Sequence, residues 1–196
     1  MGGYRCIKIR IKVLQVELIV VISIFTVLLG ILEPSVSSIF GFRAQRAANS
    51  IASALDRTKT EAMNRLVGEM VLTKESDGFY ISYNLHKGKH YGCEQTQAEK
   101  IAPANAKIGY TTTDHSDYQD LSGQLIITFN RENGGFRPIQ SDIVTTDSVT
   151  TALNDKKDVI FYDTGAYCTA IIVKGGSRTY TIEMEKDTGS YAVKAG

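Results

Sequence analysis

Asp114, His115, Asp117 and Asp120 stand within one short stretch and offer oxygen and nitrogen donors of the kind that hold a hard cation. Calcium loops of the EF-hand type also need a central glycine and a closing glutamate at fixed spacing, and this stretch has neither. It reads as a solvated polar loop. His86 and His90 are four residues apart, the separation at which a helix presents two imidazoles to zinc, but Lys87-Gly88-Lys89 between them predicts a turn. The three cysteines, Cys6, Cys93 and Cys168, are too scattered for the close pairs of a structural zinc site. No G-x-S-x-G elbow, phosphate loop or dinucleotide fingerprint occurs. No catalytic residue, metal site or cofactor is therefore predicted, and the chain is not expected to be an enzyme.

The carboxylate that needs a physical account is Glu17. Residues 1–12 hold Arg5, Lys8, Arg10 and Lys12 and no acid, and residues 13–32 are apolar except for Gln15, Glu17, Ser23 and Thr26. A helix of that length spans about 30 Å, enough for the hydrocarbon core of a bilayer. Basic flanks stay cytoplasmic, so the expected arrangement is a single-pass cytoplasmic (inner) membrane protein with its C-terminal domain outside. A carboxylate inside such a run costs a few kcal/mol and calls for a partner or a role. Crossing would also put Cys93 and Cys168 in an oxidising compartment that Cys6 never enters, where they could form one disulfide or remain two thiols.

The rest of the chain must carry the exported part. With 196 residues there is room for one domain and an anchor, and a net charge of +1 gives no global electrostatic footprint for nucleic acid. Beyond Pro34, Phe40, Ala44, Ala47, Ala48, Ile51, Leu55, Ala62 and Leu66 recur mostly at helical spacing among charged residues, and Gly68 is a plausible stop. The expected fold is α+β: a long N-terminal helix, transmembrane then amphipathic and kinked at Pro34, packed on an antiparallel β-sheet domain. Its divisions are a basic leader (1–12), a transmembrane helix (13–34), an amphipathic continuation (35–67) and a β-rich globular domain (68–196). Strands are predicted at 69–73, 79–85, 107–112, 124–130, 159–162, 168–174, 178–183 and 191–194, with turns at Ser76-Asp77-Gly78, Asn133-Gly134-Gly135, Lys174-Gly175-Gly176-Ser177 and Asp187-Thr188-Gly189. Residues 86–106 and 137–157 read as long loops.

The run Val16-Glu17-Leu18-Ile19-Val20-Val21-Ile22-Ser23-Ile24 resembles the prepilin N-terminal signature of type IV pilins and type II secretion pseudopilins. In that family a basic leader is cleaved after a glycine, a glutamate stands four residues beyond the new N-terminus, and a kink-forming proline often follows seventeen residues later. Glu17 and Pro34 have that separation here, which makes Val13 the implied first mature residue and Lys12 the last of the leader. The pattern departs from the family at Lys12, where glycine is usual, and at Val13, where phenylalanine is usual; slow or absent cleavage by a prepilin peptidase follows. The C-terminal segments Leu125–Asn130, Ala170–Val173 with Gly175-Gly176, Thr179–Glu183 and Asp187–Gly189, with the helical stretch 52–65, are similar to the H-type minor pseudopilins.

The resemblance implies a structural minor pilin or pseudopilin subunit, partnered by the membrane, by other pilin subunits and by their assembly machinery. Glu17 would neutralise the N-terminal amine of a neighbouring subunit. Some pilins similar to this group bind DNA, and Lys174, Arg178, Lys186 and Lys194, with Tyr180 and Tyr191 for stacking, are the candidate contacts; Glu183, Glu185 and Asp187 dilute their field. A third alternative is an exported protein whose secretory signal peptide is cleaved after Ser35-Val36-Ser37.

Overall fold

The computed structural model describes residues 3–65, 67–86, 93–139 and 165–196; for 3–15, 31–38, 93 and 94 it gives secondary structure alone. Helix α1 runs Gly3–Asn64, and the chain divides into two compact units, Met1–Ile39 and Phe40–Gly196, to both of which α1 contributes. Among the described residues no helix is long and apolar enough to cross a membrane. The part of the apolar run with described side chains, residues 16–30, is shorter than the ~20 residues a span needs. Pro34 lies among residues 31–38, and the kink expected there falls outside the described side chains.

In the second unit α1 buries Ala44, Ala47, Ala48, Ile51, Ala54, Leu55 and Ala62 along one face. Five of these seven are alanine, so the helix backbone comes close to the sheets, and Ile51 and Leu55 supply the bulk that fills the space between. Thr58, fully buried on the same face, returns its hydroxyl to the Ala54 carbonyl at 2.6 Å and leaves no unsatisfied donor. The helix ends two residues earlier than the apolar spacing predicts. Arg65 pairs with Glu61 and donates to the His86 carbonyl at 3.1 Å, tying the helix terminus to the sheet. Gly68 does not follow the helix as a stop but opens the first strand, where a Cβ would lie 2.5 Å from the Ala62 nitrogen.

Among the described residues, ten strands make two antiparallel sheets. The first contains β1 (Gly68–Lys74), β2 (Gly78–His86), β3 (Cys93–Gln95), β4 (Glu99–Pro103) and β7 (Gln124–Thr128), in the order β3-β2-β1-β7 with β4 also on β2. The second contains β5 (Lys107–Thr112), β6 (Gln119–Asp120), β8 (Cys168–Gly175), β9 (Arg178–Glu185) and β10 (Ser190–Ala195), in the order β10-β9-β8-β5-β6. Along the chain the sheets alternate: β1–β4 belong to the first, β5–β6 to the second, β7 to the first and β8–β10 to the second. Met70, Leu72, Phe79, Leu125, Ile171 and Ile182 from the two sheets join the helix alanines in one core. The fold class is α+β, as the sequence predicts.

Two strands lie where a long loop is expected, at 86–106. β3 and β4 share one edge of β2, pairing with Asn84–His86 and Gly78–Ile81 respectively. Between them Thr96 closes the gap: its hydroxyl accepts from the Tyr83 N–H at 2.9 Å and its own N–H donates to the Tyr83 carbonyl at 2.8 Å. These short edge strands are held by β2's backbone rather than by an apolar side-chain pattern, and this is why alternation does not reveal them. The strand predicted at 159–162 and nearly all of the loop predicted at 137–157 lie outside the described residues.

Candidate functional site

Along the described part of the apolar run, Val16, Leu18, Ile19, Phe25, Val27 and Leu29 are each at least 60% exposed. Ser23 and Thr26 turn their hydroxyls back to the Ile19 and Ile22 carbonyls at 2.7 and 2.8 Å, so neither interrupts the apolar surface with a free donor. Glu17 is exposed on the same stretch and makes no hydrogen bond or ion pair among the described residues. Lys12 and Val13 are helical in secondary structure, and their side chains are outside the described residues.

The four cations proposed for nucleic acid do not form one surface. Lys174 and Arg178 flank the two-residue turn between β8 and β9, whose first residue, Gly176, has φ 60°. Lys186 follows the other end of β9, so Arg178 and Lys186 are separated by a strand of about 26 Å. Lys186 lies over the Tyr167 ring at 4.1 Å and Arg178 over Phe42 at 5.8 Å. Lys194 is paired with Glu183 at 2.6 Å. Of the stacking candidates, Tyr180 is buried in the core, and Tyr191 sends its hydroxyl to the Ala52 carbonyl of α1 at 2.9 Å. Burial, and the neighbouring Asp56 carboxylate, push the Tyr191 phenol upward.

The metal-like stretch is likewise accounted for by local bonds. Asp114 accepts from the Thr113 hydroxyl, the His115 N–H donates to the Thr112 hydroxyl, and Asp120 accepts from the Tyr118 phenol at 2.8 Å. Among the described residues no group of three or more His, Cys, Asp or Glu side chains is placed to hold a metal. His90 lies outside the described residues.

Of the two candidate disulfide cysteines, Cys93 and Cys168, only Cys168 has a described side chain. Cys168 is a free thiol, 3% exposed at the start of β8, with its Sγ 3.6 Å from the Ala170 carbonyl. Its strand belongs to the second sheet, whereas Cys93 opens β3 at the edge of the first. The side chain of Cys93 is outside the described residues.

What the sequence does not single out is that three basic residues line one cavity. Arg43 of α1, Lys107 at the start of β5 and Lys174 at the end of β8 line one cavity of about 310 Å³. They are far apart in sequence and line it together only because β5 pairs with β8 in register Lys107↔Lys174 beneath the first turn of α1 in this unit. Lys174 was the one member with a signal, as a candidate phosphate contact. Compared with family models, characterised proteins and solved structures, the chain matches none.

Proposed function

We propose that the chain is a structural minor pilin or pseudopilin subunit, anchored by the apolar run at 13–32 and assembled with other pilin-like chains through that run and Glu17. One observation supports this above the others. A single helix, Gly3–Asn64, carries both the exposed apolar stretch with its lone carboxylate and, further along, the alanine face that two β-sheets bury. An exposed apolar stretch of this length has no role in an isolated soluble chain and calls for lipid or for the helices of other subunits. On this reading the subunit waits in the membrane and then passes into a helix bundle. There Glu17 meets a neighbour's amine, and the attraction is far stronger in low dielectric than in water. The helical course through 35–38 also weighs against a signal peptide ending at Ser37, since helix continues on both sides of that bond.

Fractionation after an alkaline carbonate wash tests the anchor: the full-length chain is expected in the membrane pellet, and recovery in the soluble cytoplasmic fraction would end the reading. Glu17→Ala is expected to stay in the pellet with its β domain folded while losing co-purification with partner pilins. The mass of the N-terminus should show an uncleaved leader, and Lys12→Gly should promote cleavage before Val13; complete cleavage of the unaltered chain there would contradict this, and a start at Ser38 would favour the signal-peptide alternative.

A further inference from the structure

We propose that the outer edge of β10 takes up an extended segment of a partner polypeptide as an added antiparallel strand, one with apolar side chains at alternate positions and a carboxylate opposite Lys194. β10 ends the second sheet, and among the described residues nothing pairs with its outer side. The Gly196 N–H donates to the Thr179 carbonyl at 2.8 Å and the Thr179 N–H to the Gly196 carbonyl at 3.3 Å, which fixes the phase of the β9–β10 ladder. The register is unbroken from Ser190 to Ala195. Ser190, Ala192 and Lys194 therefore bond to β9, and the N–H and C=O groups of Tyr191, Val193 and Ala195 face outward. Such a row is a template for a further strand.

Other edges among the described strands are blunted. β3, β4 and β6 are short, and β7 gives its Thr128 carbonyl to the Arg137 N–H. β10 has six residues, no proline and no bulge. Its two faces set the chemistry of the occupant. Tyr191, Val193 and Ala195 continue the face on which Tyr180, Ile182 and Met184 are buried, and Val193 is left 41% exposed at the margin, where an apolar neighbour would cover it. On the other face the exposed pair of Lys194 with Glu183 leaves ammonium donors for a second carboxylate, whereas a lysine across from it would be repelled. A second copy of β10 supplies no acid for that position. Antiparallel self-pairing centred on Ala192, Val193 or Lys194 sets Ser190, Ala192 or Lys194 itself across from Lys194. The edge belongs to the globular unit, so the inference stands without the anchoring reading.

The test follows the amide resonances of the isotope-labelled full-length chain, in non-ionic detergent, during titration with the peptide acetyl-Val-Glu-Val-Thr-Val-amide. Its glutamate falls opposite Lys194 when its central valine faces Val193. The Tyr191, Val193 and Ala195 amides are expected to shift together and to exchange more slowly with water. Replacing the peptide's glutamate by lysine should weaken binding roughly two- to fivefold, and Lys194→Glu should reverse that preference. Val193→Pro removes an outward N–H that β9 does not use, so it should abolish binding and leave the thermal midpoint nearly unchanged. Ala192→Pro removes an N–H bonded to β9 and should lower the midpoint. A midpoint lowered as far by Val193→Pro as by Ala192→Pro would overturn the proposal. So would no shift at millimolar peptide, shifts confined to other strands, indifference to the charge exchange, or self-association of the chain through β10. The two readings fail separately. A chain released by carbonate that still binds the peptide loses only the anchor, and a chain retained in the pellet that does not bind it loses only the strand site.

Discussion

At Cys168 burial has removed the water that would stabilise a thiolate, and the thiol is pushed up from 9.0 to about 12. Because the folded state holds its proton more tightly than the unfolded chain, the stabilisation is complete below pH 9 and is lost as pH rises towards 12. The loss is at most about 1.4 kcal/mol per pH unit. Burial raises the Tyr118 and Tyr191 phenols as well, so they add to the decline above their ordinary range. Urea midpoints measured from pH 8 upward should fall for the native chain, and Cys168→Ala should remove the earliest part of the fall. At neutral pH the native thiol should resist iodoacetamide and react only in denaturant; rapid labelling of the folded protein would contradict the burial described. The sequence placed this cysteine by compartment and offered it a partner. What it could not supply was the depth of the site, which depends on β8 pairing with β5 and β9.

Helix α1 and the turns offer positions where substitutions probe local stability directly. Ile51 is fully buried beneath the alanine face, and Ile51→Ala should cost roughly 2–5 kcal/mol, because neighbouring backbones cannot collapse into the space. Gly189 in the β9–β10 turn has φ 59°, and a Cβ there would fall 1.9 Å from the Gly134 carbonyl, itself in a turn with φ 73°. Gly189→Ala should therefore destabilise by well over the ~1 kcal/mol of the dihedral alone, measurable as a drop in thermal midpoint. A variant as stable as the parent would show that the two turns do not touch. These elements were also the legible ones. The 3–4 spacing of Ala44 to Ala62 revealed the helix face, and Asp187-Thr188-Gly189 revealed the turn. β3 and β4 were hidden because their residues, rich in Lys, Gln and Glu, show no apolar alternation. The cavity was hidden for a different reason: its three cations share no local pattern and are joined only by strand register.

For the molecule as a whole, the charge distribution is what a test between a structural subunit and a DNA receptor can probe. Lys194 is paired with Glu183, Arg178 and Lys186 are a strand apart, and the net charge is +1. Exchanging Arg178 and Lys186 for Ala should thus leave duplex binding weak and nearly unchanged. Real phosphate contacts would give a steep salt slope that flattens as cations are removed. Submicromolar affinity at physiological salt, abolished by those two changes, would make the protein a DNA receptor.

The alternation of the sheets along the chain has a consequence for the order in which the protein can take shape. β7 must return past β5 and β6 to reach β1, and β8 must return across everything since β5, so Val71 finds Ile126 and Tyr110 finds Ile171 only after long intervening stretches exist. Closing such distant contacts is slow compared with forming a helix or a local hairpin. A chain delivered N-terminus first therefore presents its helix early, with the alanine face bare, and finishes covering it only when the last hairpin arrives. A pause between residues 107 and 124 leaves both sheets half-built, and one between 128 and 168 leaves the second without β8, β9 and β10. The vulnerable period is set by connectivity, and a holding partner that shields the helix face during it would matter more to the yield of native protein than any single stabilising contact.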